Sequence, residues 1–215
     1  MSQQDGALSR SAYEAILKGI FAGRLFPGKI LSEVALAREL GMSRTPVHSA
    51  IRELVKDGLV AQEKNRRPVI SHFTRTDMQE IFEMRRLLEG EAAYRAASRI
   101  DRPTLVRLRS AGEALERHPA GPDILMRWAN FDEESHRAVA QACGNRRLAK
   151  DIERYHLIHR GLNTMRLTPE LVPQALAEHM RILDALERRD PDQSRLATLE
   201  HIQEWQAYYI RFFSE

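Results

Sequence analysis

Residues 28–60, GKILSEVALARELGMSRTPVHSAIRELVKDGLV, constrain this chain more than any other stretch. Ser32 is the predicted N-cap of a first helix ending at Leu40, with Val34, Ala37 and Leu40 as its apolar positions. Gly41 stands where the chain leaves that helix in the left-handed conformation that a side chain disfavours. Ser43 then caps a second helix, which tolerates Pro46 in its first turn because the N–H that proline lacks would have no helical partner there. Val47, Ile51, Leu54 and Val55 share one face of this second helix. Such a pair is either a corner of some α-protein or a helix-turn-helix. In the second case Ser43, Arg44, Thr45, His48 and Arg52 lie where a recognition helix meets base edges and phosphates in the major groove of DNA.

The residues after the helix pair favour DNA. Gly58-Leu59-Val60 ends the helix and begins an extended run, Lys64-Asn65-Arg66-Arg67-Pro68 makes a basic turn, and Val69-Ile70-Ser71 returns as a second short strand. Two helices and then a basic hairpin form a winged helix, with Arg66 and Arg67 at the tip to approach the phosphate backbone. Charge is distributed to match. Residues 1–75 carry 12 Lys and Arg against 7 Asp and Glu, whereas the remainder carries 21 against 23. The basic part is the part expected to meet a polyanion.

Other sequence features exclude several classes. The single cysteine, Cys143, excludes an intramolecular disulfide and a cysteine-based zinc cluster. No apolar run approaches the roughly 18 residues that span a bilayer, and MSQQDGALSR lacks the layout of a signal peptide. A cytoplasmic protein with no membrane partner is the expectation.

From about Thr76 the sequence reads as helix throughout. Breaks at 101–103, 118–122, 144–145, 167–169 and 190–192 separate six amphipathic segments: about 76–99, 103–117, 122–143, 145–166, 169–189 and 192–213. The expected fold is mainly α: a winged helix-turn-helix over 1–75 and an antiparallel six-helix bundle over 76–215. Polar residues interrupt its inward stripes. The third segment reads Leu125, Ala129, Asp132, His136, Val139, Cys143; the fifth reads Leu176, His179, Leu183, Leu186; the sixth reads Ala197, His201, Trp205, Tyr208. Each histidine alone reads as a core residue bonded to a carbonyl, and Asp132 with His136 as an i,i+4 surface pair. Together, three histidines and one aspartate would carry a large desolvation cost if unpaired. One divalent ion (Zn, Ni, Mn or Fe) would satisfy all four. Arg85 shares a face with Ile81, Leu88 and Ala92, so it points inward. It either pairs with Glu89 one turn on or forks onto the carboxylate of a bound small molecule.

Leu31-Ser32-Glu33, Leu36-Ala37, Leu40-Gly41, Ser43-Arg44-Thr45-Pro46-Val47 and Asp57-Gly58-Leu59-Val60 resemble the DNA-binding domain of the GntR family of bacterial transcription regulators. Two departures are His48, where most relatives have arginine, and Arg67, where they have glycine. Asn130-Phe131-Asp132 with His136, Gly144-Asn145, Glu178-His179 and Glu200-His201 resemble the ligand-binding (FCD) domain of its FadR subfamily, in the shorter six-helix VanR-like group. That resemblance implies a metal held by Asp132, His136, His179 and His201 at the floor of an effector pocket. Arg85, Asn145 and His156 are the expected effector contacts, Arg85 because the family places an arginine four residues before a glutamate; His156 and His159, three apart, read as pocket-lining and not as ligands, the four-ligand set being complete. Ser135 stands where relatives commonly have phenylalanine, a departure that opens space near the site. The implied protein is a ligand-responsive regulator, a homodimer on palindromic operator DNA, sensing a small carboxylate metabolite. Two alternatives stay open: a regulator sensing the metal itself, or a metal-dependent enzyme fused to a DNA-binding module. Against the enzyme, neither a Glu-x-x-His repeat nor His-Glu-x-x-His occurs.

Overall fold

The computed structural model describes residues 3–213, which divide into two compact units between Thr74 and Arg75. The first unit contains α1 (Gln3–Phe21), α2 (Glu33–Glu39), α3 (Arg44–Lys56) and two strands, β1 (Val60–Ala61) and β2 (Val69–Ile70). Ser32 caps α2 by accepting a hydrogen bond from the Ala35 N–H, and Gly41 turns the chain at a φ of 64°. Ser43 occupies the N-cap position of α3 in extended backbone, but its side chain makes no capping bond. The strands pair antiparallel with Val60 opposite Ile70, and Asn65 takes a left-handed turn conformation in the loop between them.

Two sequence expectations change here. Val34 is 60 % exposed, so α2 packs through Leu36 and Ala37 instead. The long α1 has no counterpart among the elements expected from the sequence; its signal is the buried set Ala12, Tyr13, Ile16 and Leu17, spaced as one helical face. This helix packs on α3 and is tied to its end by the Tyr13 hydroxyl, which donates to Asp57 Oδ2 at 2.6 Å.

The second unit is a bundle of six helices: α4 (Arg75–Ala97), α5 (Arg102–Arg117), α6 (Ile124–Ala142), α7 (Arg146–Arg166), α8 (Val172–Glu187) and α9 (Pro191–Tyr209). The predicted breaks fall between them. Asp101, Asn145 and Asp190 each accept backbone N–H groups at a helix start, and Pro103 and Pro191 occupy first-turn positions. Helix α4 touches α6, α7, α8 and α9, which explains its buried Ala92, Ala93, Ala96 and Ala97. Gly90 sits where α9 comes closest: a Cβ there would lie 3.0 Å from Leu199 Cδ2.

The inward face of α6 is rotated from the predicted stripe. Leu125 and Ala129 are exposed, and Ile124, Trp128 and Phe131 take the buried positions ahead of Asp132. On α9, Tyr209 is fully buried and Tyr208 only half-buried. The periodicity located the helices, but the apolar residues adjacent in sequence left their rotation open by one position. Among the described residues, no helix is long and apolar enough to cross a membrane.

Gly41→Ala should destabilise the first unit by about 1 kcal/mol, because the left-handed backbone strains any side chain although the surrounding space is open. Gly41→Asn should cost less. Thermal denaturation of the two variants against the parent chain checks both.

Candidate metal centre and nucleic-acid interface

In the first unit, Ser43, Arg44, Thr45, His48 and Arg52 are all exposed on α3, and Arg66 and Arg67 are exposed in the loop between β1 and β2. Glu33, at the start of α2, is an addition to the residues that the sequence singles out. Its carboxylate lies 2.8 Å from His48 Nδ1 and 3.5 Å from Arg44 Nη2. The His48 hydrogen bond, with the Arg44 contact behind it, holds the Glu33 carboxyl below its ordinary range. Arg44 and His48 of α3 are thus held by one acid from the preceding helix. Arg66 pairs with Glu63 at 3.1 Å in open solvent.

In the second unit, Asp132 and His136 from α6, His179 from α8 and His201 from α9 converge, each at least nine-tenths buried. One ligand atom from each lies within 4.8 Å of all the others. The three histidines are oriented alike. His136 Nδ1 bonds Glu89 Oε2 at 2.6 Å, His179 Nδ1 bonds the Ala175 carbonyl at 3.0 Å, and His201 Nδ1 bonds Glu178 Oε2 at 2.7 Å. Each Nδ1 therefore carries the hydrogen, and each Nε2 turns a lone pair to the common centre. All three Nε2 atoms are buried without a hydrogen-bond partner, and those of His136 and His179 lie 3.7 and 3.4 Å from Asp132 Oδ1. Buried lone pairs gathered beside a carboxylate oxygen repel unless a cation lies between them, so the residues fit a metal ion.

His156 and His159, on α7, are also buried, and the His156 ring lies 4.4 Å from that of His136. Neither nitrogen of either ring has a hydrogen-bond partner. Although each shares a second cluster with Asp132, no neighbour fixes its tautomer, which separates the pair from the three oriented histidines. Arg85 is buried with Nε on Glu89 Oε1 at 2.7 Å and its guanidinium over the Phe82 ring. Both Nη atoms remain unpartnered. The two sequence readings of Arg85 are therefore compatible, because one edge is tied to Glu89 and the other is open. Asn145 does not reach the centre. It is exposed, and its side chain is used to cap α7 by accepting from the Arg147 and Leu148 N–H groups.

Burial and charge act oppositely on the titrating groups. Burial would raise the Asp132 carboxyl, but contact with His179 and the charges of His136 and His156 outweigh it and hold it well below the usual range. Burial and the nearby His136 push His156 down to about 3. Burial, then His179, lowers His201 to about 4 against the pull of Glu178. For His136, burial works downward but Glu89 prevails, and its pKa rises.

The family model described as FCD domain matches residues 80–204, and that for bacterial regulatory proteins of the gntR family matches residues 8–70. This chain belongs to the GntR family. An HTH-type regulator from the TAR-I ttuE-ttuC' intergenic region of Agrobacterium vitis is 39 % identical over 137 residues, 62 % of this chain and 78 % of the relative. A probable D-xylose utilization operon repressor of Paenarthrobacter nicotinovorans is 28 % identical over 187 residues, 87 % of this chain and 82 % of that one. Escherichia coli McbR/YncC shares the fold with a TM-score of 0.76 at 21 % identity, covering 95 % of this chain and 98 % of the other. A putative GntR regulator from Rhodococcus sp. RHA1 does so at 0.67 and 19 %, over 99 % and 100 %. The chain is a GntR-type transcription regulator with an FCD domain, not an enzyme.

In the metal-free protein His156 and His201 stay neutral on folding, whereas the unfolded chain protonates them near the ordinary value of about 6.5. The stability they contribute is full above about pH 6.5 and is lost as pH falls toward about 4. His136, with its raised pKa, contributes in the opposite sense and loses its share as pH rises through that value. Because burial lowers His159 as well as His156 and His201, three groups outweigh one, and urea titrations of metal-free protein should show stability falling from pH 7 to pH 5; a flat profile would contradict the burial argument.

Proposed function

We propose that this regulator binds a palindromic operator as a homodimer and responds to a small carboxylate held at a divalent metal by Asp132, His136, His179 and His201. The six-helix count supports a place in the VanR-like group of the FadR subfamily. The observation that carries the metal is the shared tautomer: three histidines with Nδ1 bonded outward and Nε2 aimed at a common point beside Asp132. Such outward bonds are what fix and strengthen imidazole ligands. Charge supports one ion. Glu89, Asp132 and Glu178 supply three buried negative charges, and Arg85 with one divalent ion supplies three positive, the histidines being neutral. The ion would offer coordination positions that an effector carboxylate can occupy. Arg85, with both Nη atoms open, and His156 beside Asp132 are the proposed further contacts.

On the DNA side, Arg44, Thr45 and His48 read base edges while Ser43, Arg52, Arg66 and Arg67 position the unit on phosphates. One recognition helix offers too little contact for specific binding at cellular salt, which is the argument for a dimer. Effector binding shifts the operator equilibrium by no more than its difference in affinity between the two DNA-binding states.

Arg44→Ala should cost on the order of 1–3 kcal/mol in operator affinity and relax base preference. Arg66→Ala should weaken all sequences alike and lower the salt slope by about one. Fluorescence anisotropy against operator and scrambled duplexes at several salt concentrations separates the two outcomes.

The double change His179→Ala and His201→Ala should abolish metal retention and leave a dimer that binds operator but ignores effector. Stoichiometric metal in that variant by elemental analysis would overturn the ligand set. An operator response of the parent chain to metal alone would favour metal sensing instead.

A further inference from the structure

A mostly apolar cleft reaches the proposed metal centre from within the bundle. It is bordered by His136 and His179. Its walls are Ala92, Val139, Ala140, Ile152, Ile182 and Leu183. Its polar lining is Glu89, Ser135, Thr198 and the two histidines. Each Glu89 oxygen already accepts one hydrogen bond, from Arg85 and from His136. The Thr198 hydroxyl donates to the Ser194 carbonyl at 2.8 Å. Ser135 is the exception: its residue is 6 % exposed, and its buried Oγ has no hydrogen-bond partner. Besides the metal-facing histidines, the cleft thus offers a ligand one wholly unpartnered polar group, Ser135, against six apolar side chains.

That inventory decides what class of molecule can enter. A sugar acid or other polyhydroxy acid would bring several hydroxyls against walls that are mostly hydrocarbon. Each hydroxyl buried without a partner costs about tenfold in affinity. A hydrocarbon body loses nothing there and gains from leaving water. The Ser135 position makes the room, since a larger side chain there would fill the cleft next to His136.

We propose that the effector is a monocarboxylate with a compact hydrocarbon body: its carboxylate reaches the metal between His136 and His179, its body fills this cleft, and Ser135 with the apolar walls selects it over polyhydroxy acids. The inference rests on the metal-and-carboxylate reading and adds the effector's class to it.

The test uses the full-length protein loaded with zinc, its zinc content measured first by elemental analysis. Calorimetric titration should show 3-methylbutanoate or benzoate binding at least tenfold more tightly than D-gluconate. Ser135→Phe should keep zinc and lose at least tenfold in affinity for the apolar acid. Ala140→Leu, which narrows the cleft from another wall, should act the same way and stands in if Ser135→Phe does not fold. Loss of zinc by the parent protein would bring down the metal reading and this inference with it. With zinc retained, three results overturn this inference alone: equal or tighter gluconate binding, no binding of either apolar acid, or unchanged affinity in the folded filling variants.

Discussion

Three imidazole N–H groups, bonded outward to Glu89, the Ala175 carbonyl and Glu178, set the chemistry of the helical unit. Neutral imidazole has one donor and one acceptor, so committing the donor outward leaves an acceptor inward. Four helices are enlisted in this arrangement. Helix α4 supplies Glu89, α6 supplies Asp132 and His136, α8 supplies His179, Glu178 and the Ala175 carbonyl, and α9 supplies His201. The acids are themselves held: Glu89 by Arg85, and Glu178 by Gln174 and Trp205 Nε1. The polar centre is therefore part of the bundle's packing. Leaving its inward atoms unsatisfied lowers the stability of the whole unit.

The histidines on α7 show the contrast. His156 and His159 are as buried as the others, and the His156 ring lies 4.4 Å from that of His136, yet no ring nitrogen of either has a hydrogen-bond partner. Proximity alone would make them ligands; orientation argues that they are not. The same criterion assigns Arg85 two functions, since its Nε is fixed by Glu89 while its Nη atoms have no partner.

Much of this is legible in the sequence. Helix-turn-helix punctuation at Ser32, Gly41 and Pro46 locates α2 and α3, and the proline and glycine breaks separate the six helices. Polar residues interrupting three apolar stripes bring out Asp132, His136, His179 and His201 together. The features that escape a sequence reading depend on rotation and long-range pairing. The face of α6 turns by about one residue because Trp128 and Phe131, not Leu125 and Ala129, fill the interior. The bond from Glu89 to His136 joins positions 47 apart, and no periodicity within one helix reveals it. Asn145 reads as a pocket residue by resemblance, whereas in the structure its side chain is spent on the backbone at the start of α7.

Glu33 has a consequence for how the protein searches DNA. On the proposed reading of α3, a duplex must displace the Glu33 carboxylate from Arg44 and His48 before either can reach a base edge. On an arbitrary duplex, exchanging that carboxylate for a phosphate gains little, because one anion replaces another. Base edges that offer Arg44 and His48 better partners make the exchange favourable. On that reading, an acid so placed subtracts from the indiscriminate attraction of a basic surface for any duplex.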